Sequence, residues 1–266
     1  MPCTFSHPLA VVPLRRLCPT RLNFAALVIG SMSPDLAYYV RQFRVAQFSH
    51  TILGTLTVCL PTGLLALFIF YVLRRPLCLI LPQPHRAALA PLASVRPFWS
   101  MRSLFIAALS VMVGAWTHTI WDSLTHDAGW AVEHIPILHV ALIHIGGTAL
   151  RSSYVLQQLS TFCASAALIV LYLRWLCSQP VTPPSPSDSF PDRCRYFLLC
   201  AIAVTALAIA APSAYGMASH FEGYAAFRVF IFRTGVYSAA VFFPLLAISS
   251  IILDVVHRGS GKPFYR

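Results

Sequence analysis

The residues able to do chemistry gather in five short pieces: Ser6-His7-Pro8, Gly30-Ser31-Met32-Ser33-Pro34-Asp35, Phe48-Ser49-His50-Thr51, His118-Thr119-Ile120-Trp121-Asp122, and Thr125-His126. The last two carry the sharpest spacing. His118, Asp122 and His126 are each four residues apart, about 400° of helix per step, so on one helix they stack along one face. Imidazole and carboxylate on one face can share a divalent cation. The plainer alternative is a His–Asp hydrogen bond at a helix end. Asp35 has a plain alternative too, as the cap of a following helix. Around it, Gly30 permits an unusual turn and Pro34 biases Ser33 away from helix.

The elements that must position these motifs are apolar helices. Five runs are candidate membrane spans, at about 52–73, 103–121, 159–176, 196–214 and 236–253. At 1.5 Å per residue, roughly 22 helical residues reach about 33 Å, enough to cross the hydrocarbon core. Pro61 is expected to kink the first span. Residues 22–32 are apolar but too short to span and read as a buried or re-entrant helix. Residues 135–150, with His139, His144 and a Gly146-Gly147 break, read as interfacial or packed against the other helices. The fold class expected is all-α, a multi-pass transmembrane helical bundle. Residues 1–177 form a motif-bearing membrane domain, 178–192 a Pro/Ser-rich linker, and 193–266 a two-helix tail of plain apolar runs.

Composition agrees with a membrane setting. Of 266 residues, 58% are hydrophobic and 10% charged, and the mean hydropathy is +0.71. A soluble domain carries about one quarter charged residues, so a soluble enzyme and a disordered chain are both excluded. The net charge of +11 would suggest nucleic acid in a soluble protein. Here every basic residue but Lys262 is Arg, and the Arg residues fall in short groups between apolar runs, which suits lipid headgroups instead. No nucleic-acid motif is present. The eight cysteines include no C-x-x-C pair; Cys59, Cys163 and Cys200 lie in apolar runs and read as small buried hydrophobes. Arg15, Arg16 and Arg21 argue against a standard signal peptide.

Topology brings the motifs together. His50 begins the first span, whereas His118 and Asp122 end the second. Successive spans are antiparallel, so all three reach one membrane face, joined there by His7 and Asp35. Positive-inside counting puts eleven basic residues on the opposite face and eight on this one, which makes the opposite face cytoplasmic. His7, Asp35, His50, His118, Asp122 and His126 are therefore the candidate ligands of a divalent metal, zinc or manganese. Three ligands with an open position suit a catalytic zinc; four His and two Asp could instead hold two metals. Ser49, Thr51 and Thr125 are candidate donors to the ligands. Gln157, Gln158, Ser160 and Thr161 open the third span on the same face, to hydrogen-bond into the site or to join helices as polar glue. Arg41 and Arg44 could bind a phosphate or anchor to headgroups.

The same motifs, from Phe5-Ser6-His7-Pro8 to Thr125-His126, resemble a bacterial membrane group, domain-of-unknown-function family 4184. The likeness covers most of the chain and is strongest over residues 1–165. A Leu-Gln element before a Ser-Thr pair corresponds to Leu156-Gln157 with Ser160-Thr161. A fainter likeness is to inner-membrane metal-dependent hydrolases, and it implies His7, Asp35, His50, His118 and Asp122 as ligands. This chain has Ser49-His50-Thr51 where those have Thr-His-Ser.

The expectation is an integral protein of a cell inner membrane, in contact with membrane lipids, and a metal-dependent hydrolase of phosphoester or lipid-headgroup substrates. Metal-activated water would be the nucleophile, with Asp35 or Asp122 as general base. The alternative is a non-enzymatic scaffold or small-solute carrier, in which the polar cluster fixes helix packing or binds solute.

Overall fold

Among the described residues, five helical segments are long and apolar enough to cross a membrane: Ile52–Ile80, Met101–His134, Ser152–Cys177, Asp192–Ala218 and Gly223–Gly259, here spans 1 to 5. The computed structural model describes residues 4–18, 21–94, 100–145, 148–180 and 190–259. Each span runs beyond the stretch expected from hydropathy. Only 6% to 33% of the residues in the apolar windows are buried within the protein. Phe105, Phe162 and Ile252 are each more than half exposed. Apolar surface on this scale suits hydrocarbon rather than water. The chain is an all-α, multi-pass membrane protein.

The chain divides into two compact units. One holds residues 1–68, 98–171 and 221–228; the other holds 69–97, 172–220 and 229–266. Most of the linker expected at 178–192 lies outside the described residues.

In the first unit the short helix Phe24–Gly30 is buried against span 2. The approach is backbone to backbone. A Cβ on Gly30 would stand 2.3 Å from the Val111 carbonyl oxygen, and one on Gly114 would stand 2.3 Å from that of Leu27. Small residues are the usual means of bringing helices this close in membranes. The role expected for Gly30, an unusual turn, is thus corrected: it lies in the helix and provides clearance. Asn23 caps this helix through the Ala26 amide at 3.0 Å, and its own amide donates to Ser110 Oγ of span 2 at 2.9 Å.

Two devices orient the segments that follow. Ser33–Asp35 forms a single 3-10 turn with Pro34 near its start. After the short helix Leu36–Tyr39, the Gln42 amide reaches the Ala37 carbonyl and the Arg41 amide reaches that of Tyr38, both at 2.9 Å. This is a Schellman-type stop in which Arg41 takes φ of 60°, a conformation usually left to Gly. Helix Phe43–Ser49 follows, and His50 is its C-cap. Span 1 then opens through a wider π turn, Thr55–Cys59, just before Pro61. Pro61 has no N–H to donate, and the wide turn absorbs the break.

Span 2 starts from a capping box between Ser100 and Ser103. Its regular helix ends at Thr125, and His126 is extended. The three-residue stack expected at 118, 122 and 126 therefore keeps two members on the helix. The described residues of the stretch expected to be interfacial or packed form a 3-10 turn, Pro136–His139, and two antiparallel strands, Ala141–Ile145 and Thr148–Arg151, in place of an interfacial helix. The Gly-Gly pair between two apolar runs was a hairpin signal; Gly146 and Gly147 themselves lie outside the described residues. Cysteine burial is split: Cys59 is buried, but Cys163 and Cys200 are exposed on helix surfaces.

In the second unit Arg195 is only 3% exposed and donates from Nε to the Leu79 carbonyl at 3.2 Å. Asp254 is held between Arg75 at 3.2 Å and Arg258 at 2.6 Å.

Candidate metal centre

Four segments of the first unit converge. The 3-10 helix Thr4–Val11 brings His7, the Ser33–Asp35 turn brings Asp35, the end of helix Phe43–Ser49 brings His50, and span 2 brings His118 and Asp122. His7, Asp35, His118 and Asp122 are all at most 6% exposed. The His50 side chain is 22% exposed.

Three candidate ligand atoms form a nearly equilateral triangle. His50 Nε2 and His118 Nε2 are 3.2 Å apart; Asp122 Oδ2 is 3.3 Å from the first and 3.2 Å from the second. A tetrahedral ion with ligands at about 2.0 Å spaces them about 3.3 Å apart. An octahedral ion with ligands at about 2.1 Å spaces neighbours about 3.0 Å apart. The observed edges lie nearer the first. Asp35 Oδ1 stands off one side, 3.6 Å from His50 Nε2 and 3.8 Å from His118 Nε2.

The protonation states follow from the opposite side of each ring. His50 Nδ1 lies 2.7 Å from the Ala46 carbonyl, and His118 Nδ1 lies 2.7 Å from that of Ser31. A carbonyl only accepts, so each Nδ1 carries a proton, and in the neutral form of each ring it is Nε2 that is bare. Two lone pairs and a carboxylate oxygen then face one another in a site with little water. Such a group repels itself unless a cation, whether a proton or a metal ion, sits among it. His7 sharpens the point. Burial above all, with His118 beside it, holds its pKa down at about 3, so it stays neutral. Among the described residues, neither His7 ring nitrogen, nor Asp35 Oδ1, nor Asp122 Oδ1 has a hydrogen-bond partner.

The chain matches the model of one protein family, described as Domain of unknown function (DUF4184), over residues 1–253. The chain belongs to this family. No curated protein and no solved structure matches it.

Of the six expected ligands, His50, His118 and Asp122 fall into one mutually close group and His7, Asp35 and His118 into another. His126 is in neither. It contacts Asp122 instead, with Nδ1 3.5 Å from Oδ1, and is held from behind by Gln157 Nε2 at 3.0 Å from its Nε2. Gln157 was singled out in the sequence because it opens the third span, and here it steadies His126. Asp35 occupies a helix N-cap position but makes no capping bond; its Oδ2 accepts from Thr4 Oγ1 at 2.7 Å instead. Thr4 was not foreseen. It sits three residues before His7, so a 3-10 helix places both on one face. The donors expected at Ser49, Thr51 and Thr125 mostly serve the backbone. Ser49 Oγ shares its one hydrogen between the Pro34 and Ala46 carbonyls, each 2.6 Å away, and Thr51 caps the Gly54 amide at 3.0 Å. Thr125 Oγ1 alone touches a candidate ligand, at 3.4 Å from His126 Nδ1. Arg41 and Arg44 are exposed.

Proposed function

We propose that this protein is a metal-dependent hydrolase of a cell inner membrane, acting on phosphoester or lipid-headgroup substrates at one membrane face. The observation that carries the reading is the triangle of His50 Nε2, His118 Nε2 and Asp122 Oδ2, with both Nδ1 atoms committed to carbonyls. A divalent ion, zinc or manganese, would supply an acidified water and polarise a phosphoryl oxygen. The chain's own groups account for the rest. His50 and His118 are locked in the tautomer that ligates. Thr4 fixes one oxygen of Asp35 and leaves Oδ1 aimed into the site, where it can take a proton from the attacking water. His50 is the most exposed of the three triangle residues and marks the side from which a headgroup would enter. Membrane lipids are the natural neighbours of such a site.

The test is hydrolysis of p-nitrophenyl phosphate and of phospholipid vesicles by tag-free protein in detergent, before and after chelation. The expected result is activity abolished by chelation, restored by zinc or manganese, and lost in Asp35→Asn with metal retained. Phospholipid turnover alone would assign a headgroup substrate. The rival reading is a scaffold or carrier in which a proton, not a metal, holds the cluster together. It predicts no hydrolysis and no effect of chelator on melting.

A further inference from the structure

We propose that the site holds two divalent ions, bridged by Asp122, with His7 as a ligand of the second. This rests on the metal reading above and adds a second position to it. The His7 ring stacks on that of His118, with centroids 3.7 Å apart and planes inclined by 19°. An imidazole lone pair lies in its ring plane, so two near-parallel rings cannot aim at one ion. They aim at two points about as far apart as the planes. Metal pairs in hydrolytic sites are about 3.5–4 Å apart.

The carboxylate between them is divided in the same way. Asp122 Oδ2 faces His118 Nε2 at 3.2 Å, and Asp122 Oδ1 faces His7 Nε2 at 3.5 Å. Both Oδ1 and the His7 nitrogens lack hydrogen-bond partners, although His7 is only 3% exposed. A buried imidazole with a hydrogen bond at neither nitrogen is costly unless something binds it. His126 Nδ1 stands 3.5 Å from the same Oδ1 but also 3.2 Å from the Asp122 backbone carbonyl, to which it donates, so it flanks the second position without ligating it. Asp35 shares a cluster within 4.8 Å with His7 and His118, so it faces both positions. Two divalent ions against two carboxylates leave two positive charges. That balance favours a phosphomonoester dianion over a neutral ester.

The experiment loads tag-free protein with Mn2+, counts metal per chain by elemental mass spectrometry, and records its electron paramagnetic resonance. The expected result is two equivalents with an exchange-coupled signal in the wild type. His7→Ala and the better-filling His7→Gln should each hold one equivalent with an uncoupled signal, and hydrolyse p-nitrophenyl phosphate at least 100-fold more slowly. One equivalent in the wild type, unchanged in both variants, overturns the second position and leaves the proposed function standing. Two coupled equivalents in both variants overturn the role of His7. No metal in the wild type overturns the proposed function and this inference together.

Discussion

Span 2 and span 4 use one packing device to different ends. Each buries a stripe of small residues: Ala107, Ser110, Val111, Gly114 and Ala115 in span 2, and Ala206, Ala210, Ala214 and Ala218 in span 4. In span 2 the stripe continues into His118, Asp122 and Thr125, so the close approach that packs the helix also delivers candidate ligands. In span 4 it runs out in alanine, and the buried polar group at the other end, Arg195, is spent on carbonyls of Leu79 and Phe190. A buried polar residue is therefore not enough to mark a site. What separates the two is whether its atoms are already satisfied.

The largest effects should break this contrast at the ligands. His118→Ala and Asp122→Ala are expected to lower metal affinity by more than 100-fold. Arg195→Met is expected to leave metal content unchanged while lowering the melting temperature. Equilibrium dialysis with zinc, beside thermal melting in detergent, reads both. Equal metal loss in all three variants would erase the distinction.

Next come the glycines. Gly114→Ala drives a Cβ against backbone and should cost about 2–3 kcal/mol. In span 4, a Cβ on Gly216 meets nothing within 4 Å. Gly216→Ala should be neutral or gain about 0.5–1 kcal/mol. Melting temperatures of the two variants sort them.

A smaller effect is expected behind the ligands. Gln157→Ala frees His126 and should weaken metal binding about 10- to 100-fold without changing stoichiometry at saturation. The smallest concerns Arg41. Replacing it by Gly removes a left-handed penalty of about 1 kcal/mol and should raise the melting temperature slightly, with metal affinity unaltered.

Much of this was legible in the chain. The spans follow from apolar length, and antiparallel succession placed His50 opposite His118 before any distance was known. The i, i+4 rule served His118 and Asp122 because both lie inside one regular helix. For His126 it gave the contact with Asp122, at 3.5 Å, but not the continued stack, since the helix stops one residue earlier and that residue is extended. Thr4, and the carbonyls of Ala46 and Ser31 that fix the imidazole tautomers, were hidden because backbone acceptors carry no sequence signature. The hairpin at Ala141–Arg151 was missed because short apolar runs fit helix and strand equally until the Gly-Gly pair between them is weighed. Buried Asp254, just past the expected end of the last span, shows that the plain tail also carries a charge held by two arginines.

The central claim is that two imidazoles and one carboxylate already stand where a metal ion needs them. X-ray absorption at the zinc edge of zinc-loaded protein tests it most directly. Zinc held by these residues should show a shell of nitrogen and oxygen at about 2.0 Å with imidazole scattering, no sulfur at about 2.3 Å, and loss of the spectrum in Asp122→Ala. A sulfur shell, or an unchanged spectrum in that variant, would contradict it.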